Sequence, residues 1–243
     1  MAKHLIATNF MVNNTLAKNL VANNLTSSQN VNSNDAATIM TTKPSANAQD
    51  YFDQLYANND DPWDYENRWY EQRKRQICLS LLPRATYHSV LEVGCSNGVF
   101  SQDLAARCQK LICIDGNATA VQLAQTRLSH VDHVSVLQQQ IPSQWPHGQF
   151  DLIVISEIAY YLTEPELVQL AVLAAESLTP QGMILCCHWR YPIEGFSLTG
   201  AQVHAILQQH LPLTHYLNLN DPDFVLDIWA KQPVSVAQQE GLV

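Results

Sequence analysis

Between residues 89 and 229 the chain alternates short, almost unbroken apolar runs with stretches of helical spacing. The first five runs are 89–93 (SVLEV), 111–114 (LICI), 133–137 (HVSVL), 150–155 (FDLIVI) and 183–187 (MILCC). Before and between them, residues 66–82, 99–108, 118–128, 164–178 and 201–211 space their apolar side chains three and four apart. In 164–178, for example, Leu167, Leu170, Ala171, Ala174 and Leu178 share one face. Continuous apolar strands separated by helices form a parallel sheet covered on both faces. Two further strands, 213–219 and 224–229, flank the turn-rich Asn220-Asp221-Pro222-Asp223 and predict a closing hairpin. The expected fold is α/β: a doubly wound, mostly parallel seven-stranded sheet with a C-terminal antiparallel hairpin. Open sheets of this kind take ligands beyond the carboxyl ends of their strands, so the residues just after each strand carry the functional information.

Composition narrows the partners. The 243 residues hold 13 basic and 22 acidic side chains, a net charge of −9. Such a chain lacks the basic stripe that nucleic-acid binding requires. No apolar run reaches the length of a membrane span. The six cysteines contain no C-x-x-C pair, which argues against a structural zinc, and no metal is expected; small buried thiols in a reducing, cytoplasmic compartment are the plain reading. Residues 1–49 differ from the rest, with ten asparagines, one acidic residue and no glycine or arginine. They predict a disordered tail and fit neither a secretory signal nor a transit peptide. The folded domain is expected at 50–232, followed by a tail at 233–243.

The turn after the first strand reads Leu91-Glu92-Val93-Gly94-Cys95-Ser96-Asn97-Gly98. Glycine admits positive φ and lets a ligand approach the main-chain N–H groups. A tight strand–helix turn would use the same residues. Asp115 ends the second strand 21 residues after Gly94. A carboxylate there can accept from both hydroxyls of a ribose, or simply cap the next helix. Taken together the two favour a nucleoside-containing ligand. The middle glycine of a pyrophosphate loop is absent, and Glu92 brings a carboxylate to the same mouth. That disfavours a diphosphate such as NAD and suits a ligand bearing an amine and a sulfonium, S-adenosylmethionine.

At this point the sequence resembles a known family. LEVGCSNGVF, Asp115 and FDLIVISEIAYYL are similar to motifs of class I S-adenosylmethionine-dependent methyltransferases. DPWDYENRWYEQRKRQ (61–76) and CCHWRYPIEGFSLTGAQVH (186–204) resemble the narrower nodulation protein S (NodS) group and its bacterial relatives, across about residues 50–230. The resemblance implies a Rossmann-like methyltransferase fold and N-methylation of an amine on a deacetylated chitooligosaccharide. It implies that Gly94, Cys95, Ser96 and Gly98 line the methionine part. Asp115 would hold the ribose with Gly116 beside it, and Gln140 and Ile141 would flank the adenine. Ser96 stands where a glycine is common, Ala201 where an Asp is common, and QQQIP where an acidic residue is common.

The remaining expectations concern single side chains. Arg73 is a candidate partner for the cofactor carboxylate, Trp63 for closing over the pocket, and Ser156 and Glu92 for its wall. An amine must be neutral to attack, so a proton acceptor matters. Glu157 and Tyr160, after the fourth strand, and His188, ending the fifth, are the catalytic candidates. Tyr161 and Arg190 are candidates for binding the acceptor, a small molecule or oligosaccharide, while His204 reads as structural. Transfer to oxygen, or a binding protein that keeps the fold without catalysis, are the alternatives.

Overall fold

The computed structural model describes residues 47–243, so the Asn-rich segment lies outside the described residues except for its last three. The first element is α1 (Ala48–Asn58), whose N-cap Asn47 accepts from the Gln49 N–H. Then come α2 (Trp69–Ser80), β1 (Tyr87–Val93), α3 (Val99–Ala105), β2 (Cys108–Asp115), α4 (Ala118–Leu128), β3 (Val134–Gln138) and β4 (Phe150–Ser156). A single 3-10 turn, Ala159–Tyr161, leads into α5 (Glu164–Glu176). The chain ends with β5 (Leu178–Trp189), α6 (Gly200–His210), β6 (Thr214–Asn220), β7 (Phe224–Ala230) and a short α7 (Val236–Gln239) in the segment read as a tail.

The seven strands lie in the order β3-β2-β1-β4-β5-β7-β6. β1 pairs in parallel with both β2 and β4, and β5 and β6 pair antiparallel to β7. The fold is the expected doubly wound sheet with its closing hairpin. The chain winds one way through β1, β2 and β3 and the other way through β4 and β5, so a crevice opens beyond the carboxyl ends of β1 and β4.

Two apolar cores, one on each face, hold the sheet. Alternation divides each strand between them. Leu91 and Val93, Ile153 and Ile155, and Ile184 and Cys186 join α5 and α6. Val90, Leu152 and Val154, and Leu185 and Cys187 join α2, α3 and α4. The same alternation decides where the polar residues among them point.

One local expectation is corrected. Pro180-Gln181-Gly182, just before the fifth apolar run, carries a turn signal, yet the three residues lie within β5. The pairing of β4 with β5 shifts register between Phe150 and Leu152, and this irregularity absorbs them.

Candidate functional site

β1 ends in a backbone conformation that carries the site. Gly94 (φ +78) and Ser96 (φ 52) are both left-handed, and Gly98 (φ +80) caps α3. A Cβ on Gly94 would stand 2.9 Å from the Ile158 Cβ, so only glycine fits between this turn and the loop after β4. Asp115, at the end of β2, ties the turn down. Its Oδ2 accepts from the Ser96 N–H and its Oδ1 from the Asn117 N–H, both at 2.9 Å. Burial pushes its carboxyl up, and the N–H groups of Asn117, Ser96 and Gly116 pull it partly back.

Two cavities meet at Gly94. The larger, about 350 Å³, is lined by Asp115, Gly116, Gln139, Gln140, Ile141 and Tyr161 among others. The smaller, about 40 Å³, runs between Glu92, Cys95, Ser96, Asn97, Ser156 and Glu157. Each holds a buried acceptor with no partner, the Gln139 Oε1 in the first and the Asn97 Oδ1 in the second. Unmet buried acceptors at two points of one crevice fit a ligand that brings donors at both.

α1 covers the crevice. Gln49, Asp53 and Tyr56 recur at i, i+4 and i+7, so they share one face. Gln49 accepts from Gln140 Nε2 (2.5 Å) and Asp53 from Asn117 Nδ2 (2.7 Å), while the Tyr56 hydroxyl lies 2.5 Å from the Ser96 Oγ. Phe52 packs edge-on against Tyr161, with ring centroids 4.7 Å apart. Trp63 is not among the lining residues; it packs against Phe52 and Tyr56 of this cover, 6.0 Å from the Tyr56 ring.

A cluster of charges lies under the small cavity. Lys74 of α2 is buried between Glu71 (2.9 Å) and Glu157 (2.7 Å). The other oxygen of Glu157 accepts from the Tyr160 hydroxyl (2.5 Å) and the Trp189 N–H (2.9 Å). Glu157 itself has φ 58, a conformation non-glycine residues hold only where their surroundings over-determine it. Burial drives the Lys74 ammonium down, but Glu157 and Glu71 outweigh it and hold the group well above its ordinary value. The Glu71 carboxyl is raised by its burial.

The geometry corrects five expectations. Glu92 lines the small cavity as expected but does not stand open at the mouth: alternation along β1 turns it toward α3, where it is buried and accepts from the Ser101 hydroxyl at 2.5 Å. Arg73 is bonded to Asp221 at 2.5 Å, in the turn between β6 and β7, and lines neither cavity. Arg190 donates to the Asp221 carbonyl and to Asn220 Oδ1, holding the same hairpin turn. His188 is wholly buried behind the Ala159–Tyr161 turn, with both nitrogens engaged. Gly98 serves α3 and its packing on Ala124 rather than the cavity wall. Gly94, Cys95, Ser96, Asp115, Gly116, Gln140, Ile141, Ser156, Glu157 and Tyr161 do come together around the two cavities. Tyr160 lies one layer beneath, on Glu157. Sequence reading passed over α1, Gln139, Asn97, Glu71 and Lys74.

The sequence matches the Nodulation protein S (NodS) family over residues 45–187. The chain belongs to the NodS family. It is an S-adenosylmethionine-dependent methyltransferase. Nodulation protein S of Rhizobium tropici is 30% identical over 190 residues, 72% of this chain and 77% of that protein. The crystal structure of N-methyltransferase NodS from Bradyrhizobium japonicum WM9, in complex with S-adenosyl-L-homocysteine, superposes with a TM-score of 0.69 at 25% identity. It covers 75% of this chain and 97% of that one. A Pseudomonas syringae structure described as a candidate methyltransferase is 45% identical with a TM-score of 0.61, covering 67% and 99%. Among the described residues, no helix is long and apolar enough to cross a membrane.

Glu92, just before the Gly94 turn, gives a prediction. Burial pushes its carboxyl up from 4.5 to about 7. The folded chain therefore binds this proton more tightly than the unfolded chain. The stability it contributes is complete below pH 4.5 and is lost as pH rises through about 7. That difference corresponds to on the order of 3 kcal/mol. Glu92→Gln is expected to flatten the fall in melting temperature over this window. Identical pH slopes in thermal melts of the two proteins would show that Glu92 is ionised throughout.

Proposed function

We propose that this enzyme methylates an amine nitrogen on a small polar acceptor, an amino sugar or a chitooligosaccharide-like glycan. The observation that carries the reading is Glu157. It borders the small cavity that meets the larger one at Gly94, with its carboxylate fixed by Lys74, Tyr160 and the Trp189 N–H. A fixed carboxylate beside the reacting centre suits an acceptor that arrives as an ammonium ion and must give up a proton before it attacks.

When bound, S-adenosylmethionine supplies a methyl group already activated on a sulfonium. Asp115 keeps lone pairs for the two ribose hydroxyls. Ile141 offers an apolar wall to the adenine and Gln139 an acceptor for its amine, while Asn97 offers another for the methionine ammonium. α1, latched by Gln49, Asp53 and Tyr56, excludes water from the crevice. Glu157 holds the acceptor's ammonium and takes its proton, with Tyr160 and Lys74 fixing the carboxylate in place. Such alignment contributes on the order of 7–11 kcal/mol in ideal intramolecular cases.

One further observation supports a sugar. Tyr191 is half exposed and packs 4.9 Å from Trp189, whose N–H bonds Glu157. Aromatic faces beside an active site offer a surface on which a sugar ring can stack. The N-methyltransferase named in the Bradyrhizobium structure supports nitrogen as the atom methylated. The six free thiols support a reducing, cytoplasmic setting.

The test is an acceptor panel of deacetylated chitooligosaccharides, simple amines, and hydroxyl or carboxylate compounds. The expected result is a mass gain of one methyl on the amino sugar, retained on the free amine after acid hydrolysis of the glycan. Methylation confined to hydroxyl or carboxylate acceptors would sink the nitrogen assignment.

A further inference from the structure

A line of polar residues leaves the active-site loop and crosses the core on the α6 side of the sheet. It starts at the backbone N–H of Ala159, the first residue of the turn carrying Tyr160 and Tyr161. That N–H donates to His188 Nε2 at 3.2 Å. His188 Nδ1 lies 3.0 Å from His204 Nε2, and His204 Nδ1 lies 2.5 Å from Asp227 Oδ2. The other Asp227 oxygen receives the Asn218 amide at 2.8 Å and His215 Nε2 at 2.5 Å. His188, His204 and Asp227 are buried, while His215 is 39% exposed on β6.

The packing explains why these side chains meet. Cys186 and His188 alternate onto the face of β5 that α6 covers. A Cβ on Gly200 would stand 2.2 Å from the Trp189 carbonyl oxygen, so the start of α6 sits against the end of β5. One turn later, His204 reaches His188.

The chemistry allows one arrangement of protons. A backbone N–H is always a donor, so His188 Nε2 must accept, and its proton is on Nδ1. His204 Nε2 then accepts and its Nδ1–H donates to the carboxylate. We infer that His204 and Asp227 are positioning residues for methyl transfer: they lock the tautomer of His188, and through it the turn that sets Tyr160 against Glu157 and Tyr161 against the cofactor crevice. The inference rests on the methyltransferase reading of that crevice. Its device is separate, because the line touches neither cavity.

Asp227→Asn reverses the line without changing its shape. Asn218 and His215 both donate to one side of residue 227, so the amide oxygen faces them and the amide NH₂ faces His204. His204 must then accept at Nδ1 and donate from Nε2, which turns the His188 proton onto Nε2, directly against the Ala159 N–H. Two donors face each other and the turn loses its anchor.

The spectra and exchange use S-adenosylhomocysteine-bound protein and need no acceptor; turnover is read separately with S-adenosylmethionine and a deacetylated chitooligosaccharide. Nitrogen-15 correlation spectra report the proton position on each imidazole, and hydrogen exchange reports the Ala159 amide. Wild type is expected to show His188 and His204 both as neutral Nδ1–H forms with Ala159 protected. In Asp227→Asn both should switch to Nε2–H, with Ala159 exchanging at least about tenfold faster and kcat falling about tenfold, the worth of one hydrogen bond. His204→Gln, which can accept from His188 and donate to Asp227, should retain both properties, and His204→Leu should lose them. A wild-type His188 protonated at Nε2 would overturn the inference. So would a switched Asp227→Asn that keeps full Ala159 protection and turnover, or a His204→Gln that behaves like His204→Leu. Wild type failing to bind S-adenosylhomocysteine would instead count against the cofactor reading.

Discussion

Asp115→Ala is expected to weaken S-adenosylhomocysteine binding by about a hundredfold while leaving the fold intact. Ser96 and Asn117 donate at 2.9 Å to different oxygens of the carboxylate and the Gly116 N–H adds a weaker pull, which leaves lone pairs on it for further donors. The side chain lines the 350 Å³ cavity, so a ribose there would place its two hydroxyls on those lone pairs. A hydrogen bond to a charged group contributes about 1.5–3 kcal/mol, and two give about 3 kcal/mol or more, which is two decades of affinity. The stability cost is smaller. The variant frees two N–H groups at the crevice but also removes a carboxylate whose burial opposes its charge. Asp115→Asn should lie between, since its amide NH₂ has to face one of the two backbone donors. Titration calorimetry gives the affinities. Thermal melts give a second measure, because wild type at a hundred times the dissociation constant gains about 2.7 kcal/mol. An unchanged dissociation constant in the alanine variant would remove Asp115 from the ribose site.

Asp115 was legible because its chemistry belongs to its residue type and to its place after an apolar strand. The same holds for Gly94, whose neighbour Ile158 forbids a side chain. Other parts were legible in principle, through periodicity. Glu92 follows Leu91 and precedes Val93, so strand alternation already turns it away from their face. His188 lies two residues beyond Cys186 and must share its face with α6. Gln49, Asp53 and Tyr56 fall on one side of a helix, but the asparagine-rich run before them hid that start. Arg73 and Arg190 were not legible. Both close on the hairpin turn at Asn220 and Asp221, and Arg73 does so across 148 residues, a partnership that only the folded sheet creates. The irregular entry of β5 belongs to the same class. Proline and glycine at 180–182 carry a turn signal, and pairing with β4 overrides it.

Lys74 shows what periodicity offers and what it leaves out. Glu71, Lys74 and Cys78 are spaced three and four apart, and all three are buried on one face of α2. A lysine on the same face as a buried cysteine has to find anions, and here it finds Glu71 and Glu157. Lys74→Met keeps the length of the side chain and removes the cation. Two carboxylates then share a buried site with no counter-charge. Removing one partner of a buried ion pair costs about 3–5 kcal/mol. At about 2–4 °C per kcal/mol for a domain of this size, the melting temperature should fall by about 10 °C. Adding Glu71→Gln to Lys74→Met should recover part of the loss, since only Glu157 then remains unpaired. Turnover should fall in both, because Glu157 loses the group that fixes it beside the cavity. The pH dependence has a definite sign. Lys74 is raised in the folded chain, so its contribution is complete below the unfolded lysine value and disappears above it. Wild type should therefore lose stability steeply above about pH 10, and Lys74→Met should not. If Lys74→Met melts within about 1 kcal/mol of wild type, the two carboxylates do not share the site as an uncompensated pair of charges, and Lys74 is not the group that holds Glu157 in place.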